Sequence, residues 1–403
     1  MATPSSFYRN AIDLNRYSNS VARQIVVVYN DIIIDSVNQL RTIDELSAPA
    51  KAARLRTILA QLKESLDTWS GASVQTLAGE LQGLALLQSD FVTNELKQLL
   101  PRGSQSAVNT VEISPQFAQS VVSVDPTQIN VVALSDDLTA AVTGAPQTFS
   151  LTAAKGATIT LPNGEVIQKA FRGIAVDQAE RFNQVIRQGL LAGEPIPAIA
   201  KRLIGNLQFG ERAKTLRQLV QAGGQATATA INQIVTLVRT SINQVANAAS
   251  QQVYEANQDI TKKYRYVATL DTRTSAICRS LDGKVFVYGK GPTPPQHFNC
   301  RSTTVPVIDE KNLERMGIRS PEEVIGKGRR AAMGGTVPAD TTYGEWLQKQ
   351  SKKTQGEVLG PSKVPYFELL SKKYGPQQAL AKLVSTDGSE LTLKQLQQRY
   401  GST

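Results

Sequence analysis

The side chains in this chain that bind soft metals best are gathered in one place. Its single histidine and its two cysteines fall between positions 278 and 300, as Cys278, His297 and Cys300, with the spacing C-x18-H-x2-C. Thiolates and imidazoles are the side chains that hold zinc and other borderline ions. Random placement over 403 residues would rarely bring every copy together. The stretch is therefore expected to fold as a compact element around a coordinative or covalent staple, or around a reactive thiol.

Several chemistries fit these residues. Two thiolates and one imidazole leave a structural zinc site one ligand short, which Asp282, Asp271 or water would supply. A Cys278–Cys300 disulfide would instead close a loop worth about 3 kcal/mol in the chain-entropy model. The thiols also fit as small buried hydrophobes, with His297 bonded to backbone. A catalytic Cys278–His297 pair would make the chain an enzyme or a toxin-like effector, because a cysteine nucleophile needs a base that stabilises its thiolate. No protease signature flanks either residue. P-loop, G-x-S-x-G, H-E-x-x-H and dinucleotide fingerprints are missing from the sequence, and one histidine rules out a His-rich centre. The chain is not expected to be an enzyme.

Periodicity sorts the rest into a mainly α fold with a small α+β motif domain. Leu55, Ile58, Leu59, Leu62, Leu66 and Trp69 follow the i, i+3, i+4, i+7 spacing of one helix face, and residues 1–103 read as an N-terminal helical bundle. Residues 104–170 read as a loop-rich connector with a β-hairpin, whose strands are Thr148–Thr152 and Thr158–Leu161 and whose turn residues are Pro162, Asn163 and Gly164. Helices return over 174–260. The longest carries Ile231, Ile234, Val235, Val238, Ile242, Val245 and Ala249 on one stripe and Gln, Asn and Thr on the other face, which by default is solvated. Strands are expected at Tyr264–Leu270, Lys284–Tyr288 and Ser302–Val305, with Gly283 in a tight turn and Pro292, Pro294 and Pro295 stiffening the approach to His297. The motif domain spans 171–308, and a basic C-terminal segment covers 309–403.

Net charge is +10 and the sequence pI is about 9.5, which favours polyanionic partners. The glycine-rich stretch around Lys327, Arg329 and Arg330 is a candidate for sequence-independent DNA phosphate contact. No run approaches the twenty apolar residues of a membrane span, and the first residues lack the pattern of a signal peptide. Two cysteines suit synthesis in a reducing cytoplasm.

The motif resembles the signature of the phage Mu F-like minor head proteins, the phage head morphogenesis family. Asp271, Arg273, Thr274, Cys278, Leu281, Asp282, Gly283, Pro294, Pro295, His297, Cys300, Arg301, Ser302 and Pro306 follow its order and spacing. Roughly residues 170–400 are covered, and residues 1–150 show no family signature. Members often carry a second cysteine after the arginine, where this chain has Ser302, so a four-cysteine site is impossible. By their own chemistry Asp271, Arg273, Thr274, Gly283, Pro295 and Arg301 read as structural, with Arg273 and Arg301 pairing with Asp271 and Asp282 in a local charge network and phosphate or partner contact as the alternative. The resemblance implies a protein made in the host cytoplasm and carried in the virion, in the capsid interior or at the portal vertex, in multiple copies. Its partners would be the portal protein, the shell proteins and packaged double-stranded DNA, in head assembly, genome ejection or both.

Overall fold

The computed structural model describes residues 4–114, 117–122, 148–151, 161–210, 214–315 and 328–402. Apolar residues at helical spacing, with no proline to interrupt them before Pro101, build two long N-terminal helices, α1 (Pro4–Arg41) and α2 (Ala48–Leu99). Pro49 in the first turn of α2 suits a position whose N–H has no helical partner. Strand β1 (Thr110–Ile113) and helical turn α3 (Gln119–Val122) follow. Strand β2 (Thr148–Leu151) pairs with β1 in parallel, Thr110 opposite Thr148. Its expected hairpin partner, save Leu161, lies outside the described residues. The turn at Pro162–Gly164 does form, with Gly164 at φ 78°, but it feeds helix α4 (Ile167–Leu191), which begins earlier than the periodicity suggests.

Helices α5 (Ile196–Ile204), α6 (Leu216–Ala222) and α7 (Gln225–Ala256) complete the helical part. α1, α2, α4 and α7 pack against one another around one apolar core that runs from Val21 to Ala249 in sequence. Trp69 sits at its centre, edge-on to Phe171 and donating its indole N–H to the Ile25 carbonyl at 3.2 Å. All seven residues of the α7 stripe are buried in it.

The motif folds as expected around three antiparallel strands, β3 (Thr261–Val267), β4 (Val285–Val287) and β5 (Thr303–Ile308), with β3 in the middle. Helix α8 (Ala276–Leu281) leads into β4 through Gly283, whose φ of 76° is one that side-chain-bearing residues rarely adopt. A second core of Tyr254, Tyr264, Tyr288, Val305 and Leu313 joins this sheet to Phe7 and Tyr8 of α1 and Leu96 of α2.

The chain continues through α9 (Glu310–Arg315), the hairpin β6 (Arg329–Ala332) with β7 (Gly335–Pro338), and five short helices. These are α10 (Tyr343–Gln348), α11 (Lys352–Leu359), α12 (Val364–Tyr374), α13 (Pro376–Lys382) and α14 (Leu393–Tyr400). The basic tail is thus a small helical unit with its own core of Trp346, Leu347, Phe367, Leu380 and Leu396. It docks on the motif through Arg279, which donates to the Val358 carbonyl at 2.6 Å and pairs with Glu390. No helix among the described residues is long and apolar enough to cross a membrane.

Candidate metal centre

Ser275 starts the site. As the N-cap of α8 its hydroxyl accepts the Cys278 N–H at 3.4 Å, so Cys278 faces inward on the first turn. The other two groups come from the loop before β5, which passes through a cis Pro294–Pro295 bond. That loop is fixed from below by α7. Asn299, at φ 60°, donates its backbone N–H to Thr240 Oγ1 at 3.0 Å and its side-chain amide to Thr236 Oγ1 at 2.8 Å. Asn243 donates to the Ser302 carbonyl, and Gln251 to Thr304 Oγ1, both at 3.0 Å. The polar face of α7 is therefore not a solvated face at this end: it is the platform that holds the loop.

Cys278, His297 and Cys300 meet there, their ligand atoms all within 4.8 Å of one another. Cys278 Sγ lies 3.3 Å from His297 Nε2 and 3.7 Å from Cys300 Sγ. Both cysteines are buried free thiols, and 3.7 Å is far beyond the roughly 2.05 Å of a disulfide. Two thiolates on one tetrahedral zinc, each about 2.3 Å from it, stand about 3.8 Å apart. His297 Nδ1 lies 2.8 Å from the Phe298 carbonyl, which can only accept, so Nδ1 donates there, and Nε2 turns to the Ser275 hydroxyl at 2.7 Å and to the Cys278 sulfur. Such an outer hydrogen bond is how proteins orient a metal-binding imidazole. These three residues form a group that can hold a metal ion, and their donor set is compatible with zinc.

The electrostatics separate the two thiols. The hydrogen bond from Cys278 holds Cys300 well below the usual thiol range against burial, helped by His297. The same bond, with burial, pushes Cys278 far up. The contact with Cys300 raises His297, against burial. A primed nucleophile is lowered and partly exposed. Both Cys278 and Cys300 are buried.

The expected fourth ligand is elsewhere. Asp282 is fully buried and its carboxylate is saturated: Arg330 Nη2 and Nη1 reach it at 2.6 and 3.1 Å, and the Ala268 and Tyr343 N–H groups at 2.7 Å each. A buried carboxylate takes the nearest cation, and that pairing removes it from the metal group. It also corrects the expectation for Arg330, which is 5% exposed and so withdrawn from any DNA surface. Arg329 is exposed but is tied to Thr336 Oγ1 and its carbonyl at 2.7 Å, while Lys327 lies outside the described residues. Asp271 accepts from Arg301 at 2.5 and 2.8 Å, lies 3.5 Å from Arg273, and receives the Thr274 hydroxyl at 3.2 Å. Pro295 lies in the loop that delivers His297.

Sequence reading missed Ser275, Thr236 and Asn243. Only Ser275 left a signal, as a capping residue three positions before Cys278. Residues 180–305, from within α4 to the start of β5, match the model of the family described as Phage Mu protein F like protein. The matched segment contains all three metal-group residues. No curated protein and no solved structure matches the chain.

Proposed function

We propose that this phage Mu F-like head morphogenesis protein is a minor head protein of a tailed bacteriophage. It joins the inner shell beside the portal during assembly, is carried in several copies per virion, and acts in head completion, genome ejection or both, with weak contact to packaged double-stranded DNA. The observation that carries this reading is the family match over the segment that builds the Cys/His motif. The net charge of +10 supports proximity to DNA.

In the same reading Cys278, His297 and Cys300 hold a structural zinc ion, with water as the fourth ligand in place of Asp282. When bound, the ion would tie α8 to the loop before β5. Mass spectrometry of gradient-purified particles, filled and emptied, tests the location. The chain is expected in filled particles together with the portal protein. Particles that are complete and infectious without it would overturn the proposal.

A further inference from the structure

Beside the metal group the fold collects positive charge that its own carboxylates do not balance. Arg273 and Arg301 line the same small cleft as Ser275, His297 and Asn299. Both turn to one acid, Asp271. A third arginine, Arg239, lies on α7 between Thr236 and Thr240, the two residues whose hydroxyls hold Asn299 at the cleft. Its guanidinium donates twice to the Asn19 amide oxygen, at 3.0 and 2.6 Å. Among the described residues no carboxylate pairs with it. Burial, and then the charges of Arg273 and Arg301, push Arg239 below the ordinary arginine range.

Arg273 and Arg301 share the one carboxylate of Asp271, and half-buried Arg239 has none among the described residues. Half-burying such a charge is costly, and a bound anion removes the cost. Guanidinium presents five donors in a planar fork matched to oxyanions, and Arg239 uses two of them on Asn19. We propose that Arg239, Arg273 and Arg301 form a binding site for a phosphate group next to the Cys/His centre. A phosphate offers more oxygens to three guanidinium forks than the two of a carboxylate. An internal phosphodiester of duplex DNA carries one charge and would have to reach a half-buried arginine. Inorganic phosphate and a terminal phosphate on a nucleotide or nucleic-acid end share the required chemistry. The site stands on the arginines alone, so it survives failure of the head-protein or zinc reading.

Calorimetry on the full chain at low salt, with inorganic phosphate as titrant, tests it. Saturable binding at one site is expected. Arg239→Gln and Arg273→Gln should each weaken it by roughly tenfold or more, the usual effect of losing a charge-assisted hydrogen bond. Arg56→Gln, an exposed arginine on α2, removes the same charge and should leave binding unchanged. The Arg273 side chain is 80% exposed, so its variant keeps the test valid should Arg239→Gln not fold. Absence of saturable binding, or an equal loss in Arg56→Gln, overturns the proposal. Parallel titrations with a nucleoside monophosphate and with duplexes carrying or lacking 5′ phosphates identify the source. Tighter binding of the phosphorylated duplex assigns the site to nucleic-acid ends, and equal affinity for free phosphate and the nucleotide assigns it to small molecules. Duplex binding that ignores both the 5′ phosphates and the two arginine variants counts against it.

Discussion

Asp282 has no exposed surface, and its two oxygens accept four bonds from three different parts of the chain. Two come from Arg330, whose guanidinium also donates to the Thr341 carbonyl at 2.8 Å and lies 5.7 Å from the Tyr8 ring centroid. Removing either ionic partner strands the other without water. Asp282→Ala and Arg330→Ala should each cost about 3–5 kcal/mol in urea unfolding, and the double variant should cost clearly less than the sum. Additive losses would mean that the pair is not coupled. Asp271 gives a pH signature. Although burial raises its carboxyl, the hydrogen bonds and charge of Arg301 hold it below the ordinary value of 3.8. A depressed folded pKa contributes stability that is complete above the unfolded value and is lost as pH falls through the folded one. Wild type should therefore lose stability more steeply than Asp271→Asn below about pH 4, as thermal melts would show. At this scale the sequence revealed residue types and hid partners. Asp282 reads as a metal ligand because it sits four residues after Cys278, and nothing local announces an arginine 48 positions away.

The elements of the motif were largely legible. Its three strands carry β-branched and aromatic residues between turn signals, and the α7 stripe has helical period, so both emerge with shifts of a few residues at their ends. What periodicity cannot supply is the use of a polar face. Thr236, Thr240, Asn243 and Gln251 look like solvated residues until the loop they bind is in place. Because α7 already anchors that loop, the metal group is a second fastening between α8 and β5. Cys278→Ala should then lower hydrogen-exchange protection across 264–308 while α1 and α2 keep theirs. If the proposed zinc is bound, stripping it from the wild-type chain with a chelator should reproduce the pattern, since structural zinc sites contribute directly to folding. Elemental analysis that finds no metal, together with two freely titrating thiols and unchanged protection in Cys278→Ala, would return both cysteines to the role of buried hydrophobes.

Across the whole molecule, the boundaries suggested by composition do not coincide with breaks in packing. One core takes residues from α1, α2, α4, α5 and α7, so the N-terminal helices, which carry no family signature, are built into the same body as the matched segment. Sequence composition marks where loops lie, but which apolar faces share a core depends on helix directions that it does not encode. Arg330 and Arg279 are spent on Asp282 and Glu390 inside the fold and Arg301 pairs with Asp271, so the backbone of duplex DNA meets mainly the exposed cations. The surplus of +10 should still give sequence-independent binding to duplex DNA at low salt. The logarithm of affinity should fall with the logarithm of salt by about 0.9 for each phosphate contacted, and a slope near −2 to −3 corresponds to two or three contacts. Arg330→Gln should leave that slope unchanged because Arg330 never reaches the surface, whereas exposed-lysine variants of the C-terminal helices should reduce it. Fluorescence anisotropy on a short duplex over a salt series measures both. Affinity that does not vary with salt, or that vanishes at the lowest salt, would remove DNA from the list of partners and leave the basic surface to acidic faces of neighbouring proteins.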